Sequence, residues 1–286
     1  MKKSTDEIRA LITLLGDEDV SVRDVARERL FQFGPDAEDH LRAATNADLE
    51  GKVRIEARHV LEKIRQEDLL GSFYLLGLRE DEQLDLEHAA FLLARFGYSD
   101  ADVAAHQREL DELADRAQQR ISALGFQPSG RMIVEAVNQV LFVEEGFYGN
   151  RNAYYEPDNS YLNRVLERRT GIPITISLVY LLVARRLHLP IRGVNMPAHF
   201  ICQYHTRHES FYFDPFNKGR SLTHAECAMI LKNSGHTLDD DSLQPARPRM
   251  IIARMIRNLV LIYEHRGHHE KAARLDRILK MLRTNG

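Results

Sequence analysis

Apolar residues at Ile8, Leu11, Ile12 and Leu15 recur at helical spacing and predict an amphipathic opening helix, which Gly16-Asp17 stops. A second helix is predicted over SVRDVARERLFQF, with Ser21 as its N-cap and Asp24 three residues on. From Gly71 to Leu124 the pattern stays helical. Leu86, Ala89, Ala90, Leu93 and Phe96 form one broad apolar face, and Val103, Leu110, Leu113, Ile121 and Leu124 form another. Gly125 and Pro128 break the pattern, and a further helix is predicted over roughly Met132 to Phe142, carrying Val134, Val137, Val140 and Leu141.

The stretch EEGFYGNRNAYYEPDNSYLNRVLERRTGIP departs from this rhythm. Turn formers such as Gly146, Gly149, Asn150, Asn152, Pro157 and Asn159 are mixed with Tyr154, Tyr155 and Tyr161. That mixture predicts an ordered loop, the place where a site is expected, although tyrosines that merely pin the loop are the simpler account. Asp158 or Asn159 is the expected cap of the short helix SYLNRVLERR. Then comes TGIPITISLVYLLVARRLHLPIRG, hydrophobic nearly all round and therefore a central, buried helix. It is expected to begin at Pro173 or just after, because the first helical turn tolerates proline, and to end before Leu189-Pro190. Three strands follow: IRGVNM, His199 to Tyr204, and SFYFDPF with Asp214 near its end. The last two are expected to pair as an antiparallel hairpin across a turn at His205–Glu209. Alternation puts His199, Ile201 and Gln203 on one face and Phe200, Cys202 and Tyr204 on the other, with Tyr212 and Asp214 sharing a face of the next strand.

Two features concern the flanks. SVRDVARERL, beginning at Ser21, is echoed by KVRIEARHVL from Lys52, with Val22, Arg23, Ala26, Arg27 and Leu30 matching Val53, Arg54, Ala57, Arg58 and Leu61. The echo resembles HEAT-type repeats, which stack helical pairs to bury their apolar faces. A helical cap or a partner-binding surface are both open readings, and the arginines are expected as solvated surface. At the other end, GHTLDDDSLQPARPR reads as a surface connection. Two helices follow, MIIARMIRNLVLIYEHRG and HHEKAARLDRILKML, with Gly267 at their turn and Leu259, Tyr263, Ala272, Ala273, Leu275 and Leu279 between them. This pair resembles one tetratricopeptide-type hairpin and is expected to brace the core. The division is therefore 1–66, 70–240 and 246–286.

Composition narrows the class of function. Of 286 residues 44% are hydrophobic and 28% charged, enough for real cores. Thirty-nine basic against 42 acidic residues give a formal charge of -3, which argues against nucleic-acid binding by bulk charge. Only Cys202 and Cys227 are present, which excludes a disulfide scaffold or a four-cysteine zinc site. His88 beside Glu87, and His265, His268 and His269, lack further ligands at metal spacing, so neither a metal nor a cofactor is expected. No apolar run approaches the ~20 residues of a membrane span, and the N-terminus lacks signal-peptide character, so a cytoplasmic protein with no membrane association is expected.

The candidate chemistry is a histidine–carboxylate pair. If the strand register brings Asp214 to His199, the carboxylate orients and polarises the imidazole, as in covalent hydrolases and transferases. The segment from about Asp85 to Thr223 resembles the SirB-type transglutaminase-like family, most closely in FYGNRNAYYEPDNSYLNRVLERRTGIPITISLVYLLVARRLHLPIRGVNMPAHF and FYFDPFNKGRSL. The resemblance implies an α+β fold, a transglutaminase-like (papain-like) core with a central buried helix and an antiparallel sheet, flanked by helices. The wider superfamily uses Cys-His-Asp, with the cysteine at the start of the buried helix. In this sequence those positions fall on Pro173, His199 and Asp214. Base and orienter are kept and the thiol is missing, since proline has no nucleophilic side chain.

Two functions follow. One is a non-catalytic protein that binds a protein or peptide, with Tyr155, Asn159 and Pro173 lining the site. The other is an acyl-transfer or amide-hydrolysing enzyme with His199 as base, Asp214 as orienter and Ser177, or Thr175, as a replacement nucleophile, Asn159 donating to an oxyanion. A purely structural adaptor, in which the loop Gly146–Asn159 binds nothing, is the third possibility.

Overall fold

The computed structural model describes residues 2–46, 49–237 and 242–283, with the backbone alone for Lys2, Lys3 and Arg283. The expected acidic run Asp239–Asp241 lies outside the described residues. The chain divides into two units, with the boundary between Leu75 and Leu76.

The first unit contains α1 (Lys2–Leu14), α2 (Val20–Phe33), α3 (Glu38–Asn46) and most of α4 (Gly51–Gly77). Its core joins Ile8, Ile12 and Leu15 to Ala26, Leu30, Leu41, Ala57 and Leu61. The echoed alanines and leucines of α2 and α4 are thus the buried positions. The N-cap is Asp19, not Ser21: its carboxylate accepts the Ser21 amide at 2.8 Å. Nor are all the arginines plain solvated surface. Arg27 forks onto Glu56 of α4 at 2.8 and 2.9 Å, which holds the Glu56 carboxyl below its ordinary range. Arg23 donates to the carbonyls of Asp17 and Glu18 at 2.7 and 2.9 Å.

The second unit begins with α5 (Leu86–Gly97), α6 (Val103–Ser122) and α7 (Gly130–Asn138). The helix predicted to reach Phe142 changes at Gln139 into a wider π-turn over Gln139–Glu144. Two short strands, β1 (Tyr148–Gly149) and β2 (Thr170–Gly171), pair in parallel and flank α8 (Leu162–Arg168). Neither Asp158 nor Asn159 caps α8. They lie in a 3-10 turn, and the capping position is Tyr161, with no side-chain bond. Asp158 instead accepts from Tyr98 and pairs with Arg164 and Arg168.

Next is α9 (Pro173–Arg186), buried from Pro173 through Ala184. A four-stranded antiparallel sheet follows in sequence order: β3 (Ile191–Val194), β4 (Ile201–His205), β5 (Ser210–Asp214) and β6 (Arg220–Leu222). Phe213 of the sheet meets Tyr180 of α9 with ring centres 5.0 Å apart. On the other face Val194, Ile201 and Leu222 pack with Cys227 and Leu231 of α10 (His224–Asn233). Both faces are therefore covered, which explains why β4 reads as a run of buried residues.

The unit closes with α11 (Pro248–His265) and α12 (His269–Arg283), joined at Gly267. Leu259, Tyr263, Ala272, Leu275 and Leu279 are buried as expected, but Ala273 is exposed, and Ile278 and Leu282 supply the apolar face in its place. Both helices lie within the second unit. Helix α11 packs on α5, α9 and the 3-10 turn at Pro157–Ser160, and Tyr263 meets buried Tyr161 hydroxyl to hydroxyl at 2.9 Å. The connection before it is not plain surface either: Ala246 donates to the Gly193 carbonyl at 2.8 Å and Pro245 bridges to Val194, covering that edge of β3. No described helix is long and apolar enough to cross a membrane.

Candidate functional site

The register of the sheet decides what surrounds His199. Cys202 opposes Phe213 across β4 and β5, so the end of β5 runs toward the residues just ahead of β4. His199 is not in the strand, as alternation implied. It precedes β4 in a turn where its amide donates to the Met196 carbonyl at 3.2 Å, and Ala198 has φ +60°. A left-handed alanine is a costly conformation and persists only where surrounding contacts enforce it.

From that turn the imidazole Nε2 meets Asp214 Oδ2 at 2.7 Å. A carboxylate oxygen accepts, so Nε2–H donates and Nδ1 is left as the ring's other polar atom. The His199 side chain is 14% exposed and that of Asp214 only 1%: carboxylate below, imidazole at the surface. Asn217 fixes the carboxylate further, donating from Nδ2 to Oδ2 at 2.6 Å and from its amide to Oδ1 at 3.4 Å. Asp214 leads into a 3-10 turn, Pro215–Asn217, which puts an asparagine three residues on in capping geometry.

Phe216 of the same turn connects this pair to the start of α9. The His199 ring stands edge-on to Phe216 at 6.1 Å. Phe216 also packs so closely on Gly149 that a Cβ there would lie 2.4 Å from the ring. Gly149 pairs with Gly171, two residues before Pro173. Pro173 is buried at the first position of α9, where it forgoes no intrahelical hydrogen bond.

The remaining candidates have other partners. Thr175 Oγ1 donates to the Asn159 carbonyl at 2.6 Å and accepts the Ile172 amide at 3.1 Å. Ser177 is fully buried and directs its hydroxyl at the Phe200 carbonyl, 3.4 Å away. Neither hydroxyl is presented to a substrate. Asn159 does not donate outward. Its amide nitrogen reaches the Ala153 carbonyl at 2.6 Å and the Tyr154 carbonyl at 3.3 Å, its oxygen accepts from Asn150 at 3.1 Å, and it is fully buried. It is the hub of the loop, not its ligand-facing group. Tyr155 is 67% exposed, edge-on to Tyr154 at 5.3 Å. Cys202 and Cys227 are free and buried. Burial raises both thiols, Cys227 to about 11 and Cys202 further. Among the described residues no three His, Cys, Asp or Glu side chains are grouped to hold a metal ion.

The contact least visible in the sequence comes from α11. Arg254 Nη1 donates to the carbonyls of Met196 at 2.6 Å and His199 at 2.9 Å and also reaches the Asn195 side-chain oxygen. One guanidinium therefore clamps both ends of the turn that holds Ala198 left-handed, and its burial lowers its own pKa. Replacing Arg254 by Lys is expected to cost about 1–3 kcal/mol, because the shorter lysine side chain does not carry its ammonium to the point where Nη1 meets these oxygens. Faster amide exchange at 196–200 with unchanged exchange in the first unit is the expected result, measured by hydrogen–deuterium exchange.

An antiparallel sheet packed on a buried helix, with a histidine and a carboxylate joined at the ends of its two central strands, defines an α+β transglutaminase-like domain. The chain belongs to the transglutaminase-like superfamily, whose family match covers residues 104–257. It is 35% identical to a UPF0162 protein of Xylella fastidiosa (strain 9a5c) over 221 residues, 75% of this chain and 78% of the relative. It is also 36% identical to F-box only protein 21 of Mus musculus over 143 residues, 47% of this chain but 22% of that protein. No solved structure matches the chain significantly.

Proposed function

We propose that this chain is a SirB-type transglutaminase-like protein without a nucleophile, which uses the His199–Asp214 site to bind a protein or peptide without turning it over. The observation that supports this reading is the buried Pro173 at the first turn of α9, where the family resemblance implies a cysteine. The imidazole keeps its carboxylate partner at 2.7 Å, yet the nearest hydroxyls along α9, Thr175 and Ser177, are buried and bonded to backbone carbonyls. A base without an attacking group cannot open a covalent pathway. In this reading the chain has three parts: a HEAT-like helical segment (1–66), the transglutaminase-like domain (70–240) and a tetratricopeptide-like hairpin (246–286) that serves as a brace.

The test is acylation. The full chain is incubated with p-nitrophenyl acetate and with a fluorophosphonate, and modified sites are located by peptide mass analysis. The expected result is no adduct on Thr175 or Ser177 in the wild type. An adduct on either hydroxyl that disappears in His199→Ala would overturn the reading in favour of an acyl-transfer or amide-hydrolysing enzyme.

A further inference from the structure

Several arginines of the second unit lie against carboxylates, among them Arg116, Arg164, Arg169, Arg186 and Arg249. Arg151 is set apart by its link to the histidine–carboxylate pair. It is exposed, and among the described residues no carboxylate lies within ion-pair distance of it. It is nevertheless held in place. Its guanidinium stands 5.8 Å from the centre of the Phe216 ring, and its Nη2 donates to Asn217 Oδ1. Asn217 in turn donates to Asp214 Oδ2 at 2.6 Å, the oxygen that receives His199. Arg151, Asn217, Asp214 and His199 therefore form one hydrogen-bonded chain, and Arg151 and His199 both lie about 6 Å from the same phenyl ring. Lys218, directly after Asn217, is a second exposed cation with no carboxylate partner among the described residues. Asp214, the carboxylate at the end of this hydrogen-bonded chain, is buried beneath His199 and Asn217 and is not itself exposed.

A fixed, exposed guanidinium loses little side-chain freedom when it binds, and its fork matches a carboxylate. We propose that Arg151 is the anion anchor of the site and that the ligand is a peptide carrying an acidic side chain, whose carboxylate pairs with Arg151 beside the His199 imidazole. An acidic peptide fits better than a nucleic acid. The anchor is a short cationic spot, Arg151 and Lys218, with exposed Tyr148 and Tyr155 on either side of Arg151 in the sequence, not a stripe tracking a phosphate backbone.

This inference rests on the peptide-binding reading, so the experiment separates the two. The labelled full chain is applied to an array of random-sequence decapeptides, and hits are resynthesised with each Asp or Glu exchanged for Asn or Gln. The expected result is a set of hits enriched in acidic residues, about tenfold weaker binding when the critical acid is neutralised, and a similar loss in Arg151→Gln. Arg151→Lys is expected to keep the acidic preference at reduced affinity. Circular dichroism checks that the variants are folded. Peptide binding that is indifferent to acids, or that survives Arg151→Gln unchanged, overturns the anchor and leaves peptide binding standing. Binding of no peptide at all overturns both, as does preference for a labelled single-stranded oligonucleotide over every peptide.

Discussion

Pro173→Cys is expected to become the most reactive thiol in the protein. Its sulfur would sit at the first turn of α9, where unpaired amides and the positive end of the helix dipole favour a thiolate. The family resemblance implies that His199 lies within reach of this sulfur, and there the imidazole favours the thiolate further. The two native thiols are poor competitors. Burial raises Cys227 to about 11 and Cys202 further, so their thiolate fractions stay small until the pH climbs far above neutral. A thiol with a pKa near ~7 would alkylate at neutral pH several thousandfold faster than Cys227 on thiolate fraction alone. Adding His199→Ala is expected to lower the rate about tenfold and to move its pH midpoint upward. Iodoacetamide rates against pH, with the modified cysteine identified by peptide mass analysis, provide the check. A midpoint at the unperturbed ~8.5 that ignores His199 would show that no such dyad forms.

Gly171→Val is expected to destabilise the second unit far more than His199→Ala. A Cβ at Gly171 would lie 2.5 Å from Thr175 Oγ1 and 3.1 Å from Val165. The threonine hydroxyl cannot retreat without breaking its bonds to the Asn159 carbonyl and the Ile172 amide, the two contacts that seat the loop on the start of α9. Overpacking and the lost hydrogen bonds together amount to about 3–5 kcal/mol. Losing the His199 side chain removes one hydrogen bond from Asp214, which keeps Asn217, and costs about 1 kcal/mol. Urea unfolding followed by near-ultraviolet circular dichroism measures both; equal or reversed losses would contradict the packing argument.

Local patterns carried most of the secondary structure. Helical periodicity marked α1, α5, α6, α11 and α12, and the proline rule located the first residue of α9. The histidine and aspartate were legible as strand-end residues, but the turn that joins them was not. Simple alternation extended β4 back to His199, whereas the backbone at Ala198 turns left-handed just before it. Asn159 looked like a ligand-facing amide because its neighbours are turn formers, and burial of its partners can be seen only in three dimensions. The π-turn at Gln139–Glu144 keeps the apolar composition of a helix and so leaves no local mark. Arg254 and Arg151 were missed for a different reason. An arginine on an amphipathic helix or in a loop is ordinary in sequence, and what sets these two apart is the carbonyls and the ring that the rest of the fold brings to them.

The clamp on the histidine turn also orders events in time. Arg254 follows His199 by 55 positions. At translation rates of about 5–20 residues per second, the ribosome needs several seconds to pass from one to the other. When the ribosome reaches α11 the central helix and the whole sheet are already in the nascent chain, while the turn at Ala198 still lacks the guanidinium that closes it. The site is therefore among the last features of the domain to mature, completed only when α11 emerges and docks. A ligand that depends on an ordered histidine turn would then meet its site after synthesis and not during it.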